Sequence, residues 1–181
     1  MPMVVTARRF TVDEVLTWPD DGNRYELVDG VLLVTPAPMP PHQIVAQRIA
    51  AALSERVRSL PHGHVASPGA ILVRPGVKME PDILVFRSAS VPARWEQVEE
   101  HWLAVEVWSP SSVVYDRDIK RDAYLQLGVR EVWLVDPEAR TVFVSRPGRA
   151  LDLPHRSTLI WRPPGAPDAP PIDLAESFRD L

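Results

Sequence analysis

The stretch Trp102-Leu103-Ala104-Val105-Glu106-Val107-Trp108, followed by Ser109-Pro110-Ser111-Ser112, decides how this chain is read. Apart from Glu106 its first seven residues are apolar, the composition of a strand buried on both faces. A strand of that kind seldom takes an ionisable group without a partner, because an unpaired buried carboxylate is expensive to desolvate. The serine-proline segment ends it, and a helical pattern follows from about Val114 to Leu127, closed by Gly128. On that helix Asp116, Lys120 and Tyr124 recur every four residues and share a face, beside an apolar stripe of Ile119, Ala123 and Leu127. A strand thus offers a carboxylate, and the helix after it offers an amine.

Working outward, Glu131–Asp136 is a second apolar strand, with Thr141–Ser145 as its hairpin partner across a turn at Pro137–Arg140. Upstream, a strand begins near Asp82 and runs through Phe86, with Asp82, Leu84 and Phe86 on one face and Ile83 and Val85 on the other. Ala70–Arg74 reads as a further strand, ended by a turn at Pro75-Gly76, and residues 88–101 as a loop with a helical turn near Trp95–Glu99. From His42 to Leu60, Val45, Ile49, Leu53, Val57 and Leu60 recur at helical spacing, which predicts the longest helix. His42 stands at the amino end of its inward face. Before it, Pro36–Pro41 reads as a stiff connection. Arg24–Val28 and Val31–Thr35 flank Asp29-Gly30, a strong short-range hairpin signal. Thr11, with Glu14 three residues on, predicts a capped helix over 11–18. After Ser145 the pattern offers a strand at Ser157–Trp161, a proline-rich loop over 163–171 and a short helix near Leu174–Phe178. The order predicts a single α/β domain over 1–181: a central mixed sheet flanked by helices, with an N-terminal β-hairpin.

Composition narrows the chemistry. The chain has 181 residues, 45% hydrophobic and 24% charged, as an ordinary globular domain has. No apolar run approaches the roughly 20 residues of a membrane span. The opening MPMVVTARRF lacks the apolar segment of a secretory signal, so a cytoplasmic location is expected. A net charge of −4 tells against a protein that coats nucleic acid through a basic surface, but not against a nuclease with an acidic metal site. With no cysteine, any metal is held by carboxylate, carbonyl or imidazole.

Pairing of the strands that carry Asp82 and Glu106 brings two acids together, and two carboxylates that close repel unless a proton or cation lies between them. For oxygen ligands the natural cation is Mg²⁺ or Mn²⁺, which takes one or two carboxylates plus water and substrate phosphate. A nearby lysine orients a water or offsets charge on phosphate.

Pro81-Asp82, with Glu106-Val107-Trp108 about two dozen residues later, resembles the PD-(D/E)XK nuclease superfamily and its restriction-endonuclease-like fold. The segments RYELVDGVLLVTPAP, PPHQ, PDILVF, LAVEVWSPSS and YDRDIKRDAYLQLGVREVWLVDPEARTVFV, over roughly residues 11–146, resemble the Uma-two family of endonucleases. The superfamily's lysine position is Trp108 here, and the resemblance puts Lys120 in its place. It implies Asp82 and Glu106 as metal ligands, with the Val107 backbone carbonyl as a third. Glu26 falls at the family's first acidic position, to bind a second metal or hold a metal-bound water. His42 is expected to contact phosphate or orient Glu26, Asp116 to pair with Lys120 or cap its helix, and Tyr124 to support the site.

The implied activity is Mg²⁺-dependent hydrolysis of DNA phosphodiesters by a homodimer. Other readings stay open. Glu106 is equally a buried carboxylate neutralised by an arginine, Asp82 a turn cap, Lys120 a solvated helix lysine and Glu26 an exposed strand residue. On those readings the chain is a catalytically inactive nucleic-acid- or protein-binding module. Another nucleotide-processing hydrolase on the same site is a third reading.

Overall fold

The computed structural model describes residues 8–109, 119–149, 154–166 and 168–181. Asp116 and the start of the expected helix over 114–127 lie outside the described residues.

Among the described residues eleven strands follow one another. They are β1 (Asn23–Val28), β2 (Val31–Pro36), β3 (Gly63–Ala66), β4 (Ile71–Val73), β5 (Val77–Met79), β6 (Ile83–Arg87), β7 (Glu100–Val107), β8 (Glu131–Asp136), β9 (Thr141–Ser145), β10 (Thr158–Leu159) and β11 (Ile172–Asp173). The α-helices among the described residues are α1 (Val12–Val15), α2 (Pro40–Val57), α3 (Arg121–Gln126) and α4 (Leu174–Ser177), and a 3₁₀ turn covers Trp95–Gln97.

The central sheet has the order β3-β6-β7-β8-β9. It is mixed because β7 and β8 run parallel while its other neighbours are antiparallel. A parallel pair needs a crossover, and the segment holding α3 supplies it. Six consecutive residues of β7, Trp102–Val107, are buried, as expected of a strand with helices or sheet on both sides. One face of the sheet, with Ile83, Val85, Leu103, Val105, Val107, Trp133 and Val135, packs on the Val45, Ile49, Leu53 and Val57 stripe of α2. The other face, with Leu84, Ala104, Val132 and Leu134, packs on Ala123 and Tyr124 of α3 and on Ile71 and Met79. The second sheet, β2-β1-β5-β4, is antiparallel and brings Ile71 of β4 and Met79 of β5 against that face.

The β1–β2 hairpin turns at Asp29 (φ 49°) and Gly30 (φ 78°), consecutive positive-φ positions that suit Asp-Gly. Along β1 the side chains alternate. Tyr25 and Leu27 join Val12 and Val15 in a small apolar cluster, which leaves Arg24 and Glu26 on the opposite face, toward the central sheet. Thr11 and Glu14 form the expected capping box, with Glu14 N–H donating to Thr11 Oγ1 at 3.2 Å and Thr11 N–H to Glu14 Oε2 at 2.7 Å.

Several boundaries differ from the expectation. α1 has four residues rather than eight, since only Val12 and Val15 have a buried partner surface. α2 begins at Pro40, before His42, because prolines fit the first helical turn, where backbone N–H groups have no partner in any case. It ends at Val57. β3, β5 and β11 were not expected; each is four residues or fewer, too short for periodicity to register. On α3 Ala123 and Tyr124 are buried, with Leu127 partly buried against the same core. Gly128 (φ 85°) closes α3 as expected: Gly128 N–H donates to Leu125 O and Val129 N–H to Tyr124 O, both at 3.1 Å.

Candidate functional site

Asp82 stands immediately before β6. Since Ile83 pairs with Val105, one further step along the antiparallel register sets Asp82 opposite Glu106 on the same face. The approach to Asp82 is fixed by the loop before it: Ser67 Oγ donates to Asp82 O at 2.8 Å and Gly69 N–H to Pro81 O at 3.1 Å. Gly69 is needed there, because a Cβ would lie 2.3 Å from Leu84 Cβ.

The Asp82 side chain, 4% exposed, collects three donors. Arg24 Nη1 of β1 lies 2.9 Å from Oδ1. His42 Nε2, from the first turn of α2, lies 3.0 Å from Oδ2, and Val107 N–H donates to the same oxygen at 2.9 Å. Burial by itself raises the Asp82 carboxyl, but the His42 hydrogen bond and charge, the Arg24 charge and the Val107 N–H outweigh it and hold the group below the ordinary carboxylate range. Burial likewise pulls Arg24 down, while Asp82, Glu106 and Glu26 together hold it above its usual value. These three acids therefore act on one guanidinium, and the cluster is a single electrostatic unit.

Glu106, 2% exposed, meets α3. Tyr124 Oη donates to Glu106 Oε1 at 2.6 Å, and Lys120 Nζ lies 3.5 Å from the same oxygen. Lys120, at the start of α3 and 2% exposed, reaches Glu26 Oε2 at 2.5 Å. Glu26 is itself fully buried, and its other oxygen accepts the Glu80 N–H at 2.8 Å. Buried charges persist only when paired and hydrogen-bonded, and each of these is.

Asp82, Glu106, Lys120, Glu26, His42 and Tyr124 are thus gathered at one end of the central sheet, bridged by β1 and α2. Lys120 is not a solvated helix lysine, and Glu26 is not an exposed strand residue. Asp116 lies outside the described residues. The residue that sequence reasoning passed over is Arg24. Its one signal was its position two residues before Glu26, which puts both side chains on one face of β1.

The donor set suits a hard divalent cation with few protein ligands. All candidate atoms are oxygen, the two carboxylates occupy opposed positions of adjacent strands, and Val107 turns its N–H toward Asp82. In a strand the carbonyl of a residue opens toward the same neighbour as its N–H, so Val107 O faces that side too. Among the described residues no group of three or more His, Asp or Glu side chains is arranged to enclose a metal. The fit is therefore that of an ion held by one or two carboxylates with water and phosphate, not of an all-protein cage.

Three comparisons place the chain among known proteins. A family model described as "Uma2: Putative restriction endonuclease" matches residues 12–168. Among solved structures, a putative nuclease belonging to DUF820 from Anabaena variabilis matches with a TM-score of 0.76 and 22% sequence identity, over 93% of this chain and 97% of that one. That likeness establishes a shared fold. No curated protein matches. Among the described residues, no helix is long and apolar enough to cross a membrane.

Proposed function

The chain belongs to the Uma2 family of restriction-endonuclease-like proteins, and from that premise we propose that it is a Mg²⁺- or Mn²⁺-dependent endonuclease that hydrolyses DNA phosphodiesters. The observation that carries the reading is the convergence of two opposed carboxylates, Asp82 and Glu106, with the buried Lys120 ammonium 3.5 Å from Glu106. A neutral core filler would not keep so many charges out of water.

Asp82, Glu106 and the Val107 carbonyl would hold the cation, which would supply Lewis-acid stabilisation of phosphate charge and lower the pKa of water. Lys120, 3.5 Å from Glu106, would orient the attacking water toward phosphorus. Glu26 anchors Lys120 from its far side, with its own second oxygen fixed by the Glu80 N–H. Tyr124 fixes the Glu106 rotamer through the 2.6 Å hydrogen bond. His42 fixes Asp82 from the α2 side. Two copies, each cutting one strand, suit a duplex substrate.

The test is nicking of supercoiled plasmid by purified protein with Mg²⁺ or Mn²⁺, with EDTA, and by Glu106→Gln. Metal-dependent nicking that the variant loses while its circular dichroism is unchanged supports the reading. Equal nicking by both proteins removes Glu106 from the mechanism.

A further inference from the structure

Asp82 is committed to the wrong partner for a metal ligand. Its two oxygens offer about four acceptor positions, and Arg24, His42 and the Val107 N–H take three of them. A divalent cation on Asp82 would stand within a few ångströms of the Arg24 guanidinium, two like charges on one carboxylate with little water between them. Both cannot hold Asp82 at full strength.

Arg24 has somewhere else to go. Its side chain is 20% exposed, against 4% for Asp82, and it opens onto a groove of about 230 Å³. Arg24, His42, Gln43, Gln47 and Ser67 line that groove beside Asp82. Gln43 and Gln47 can donate hydrogen bonds to phosphate oxygens there, while Ser67 and His42 already hold Asp82, and a guanidinium fork matches phosphate in a bidentate way. Arg24 Nη1 also donates to the Glu80 carbonyl at 3.2 Å, and Glu106 and Glu26 add charge that holds it more weakly than Asp82 does.

We propose that Arg24 is a displaceable counter-ion: it holds the Asp82 carboxylate until a divalent cation binds, then turns into the groove and pairs with a non-bridging oxygen of the substrate phosphate. This rests on the metal-dependent nuclease reading above. No bond is made or broken; the guanidinium exchanges one anion for another. Metal loading and phosphate binding are thereby coupled through one side chain, so that the groove gains its positive charge when the cation arrives.

The proposal sets metal affinity and substrate affinity in opposite directions, which a merely structural arginine would not do. The full chain, Arg24→Gln and Arg24→Lys are titrated with Mn²⁺ by electron paramagnetic resonance. They are then titrated with a fluorescein-labelled phosphorothioate duplex, by anisotropy in Mn²⁺. Arg24→Gln is expected to bind Mn²⁺ on the order of tenfold more tightly, since its competitor is gone, and the duplex on the order of tenfold more weakly. Arg24→Lys keeps the charge and is expected to bind Mn²⁺ as the unmodified chain does, with duplex affinity reduced severalfold by loss of the fork. Should Arg24→Gln fail to melt cooperatively, Arg24→Lys decides, and unchanged duplex affinity in it overturns the proposal. Mn²⁺ affinity that is unchanged or weaker in a folded Arg24→Gln overturns it as well, with the nuclease reading intact. If the unmodified chain binds no Mn²⁺, the proposal and the reading beneath it both fall.

Discussion

Replacing Lys120 by methionine keeps the length of the side chain and removes its charge. Lys120 is 2% exposed, with Glu26 Oε2 at 2.5 Å and Glu106 Oε1 at 3.5 Å, and both acids are buried as deeply. Water cannot replace the lost ammonium, so two carboxylates are left short of compensation. Breaking a buried ion pair from one side costs about 3–5 kcal/mol. Against a typical total of about 5–15 kcal/mol this is a large share. In a domain of this size it corresponds to a fall in Tm of roughly 10 °C. The assay is urea unfolding followed by circular dichroism, on Lys120→Met and on the double variant Lys120→Met/Glu26→Gln. The second change removes one stranded charge, so the double variant is expected to recover at least about 1 kcal/mol, the signature of two coupled sites. A single variant that costs under about 1 kcal/mol, or a double variant less stable than the single, would refute the reasoning.

Two further outcomes are expected. Tyr124→Phe removes a 2.6 Å hydrogen bond to a buried carboxylate and is expected to cost about 1.5–3 kcal/mol by the same urea assay; no change would mean that Glu106 does not rely on that hydroxyl. His101 is held below the ordinary histidine value of 6.5 by burial, and its Nε2 has no hydrogen-bond partner among the described residues. With the folded pKa depressed, the unfolded chain takes the proton first. The contribution of His101 is therefore complete above the ordinary value and lost as pH falls toward the folded one. The urea midpoint of the unmodified chain is expected to fall more steeply between about pH 7 and pH 5.5 than that of His101→Gln, and equal slopes would contradict the assignment.

The sequence revealed the parts of the molecule that have strong periodicity. β7, β8 and β9 stand out as apolar runs between turn signals, α2 as a long helical stripe, and the β1–β2 hairpin through Asp29-Gly30. β3, β5 and β11 did not, because a segment of two to four residues shows no period and takes its structure from the neighbour it pairs with. The expected proximity of Asp82 and Glu106 followed from reading their segments as neighbouring strands, and the role of Lys120 from the resemblance to the Uma-two family. The pairing of Lys120 with Glu26 was not legible, since it depends on how the four-stranded sheet lies against the central one. Arg24 was missed for the same reason: in sequence it is one more charged residue at the start of a strand, and only the tertiary arrangement aims it at Asp82. Trp108 in the place of the superfamily's lysine was the clearest sequence sign that the amine had to come from elsewhere, and the structure brings the Lys120 amine to Glu106.

The account stands on Asp82 and Glu106 sharing a divalent cation. Crystals soaked in Mn²⁺ and measured at the manganese absorption edge test this directly. The account predicts an anomalous peak between the two carboxylates and beside Val107 O, with Arg24 turned away from Asp82. Saturating Mn²⁺ that leaves this position without a peak, while Arg24 remains on Asp82, would contradict it.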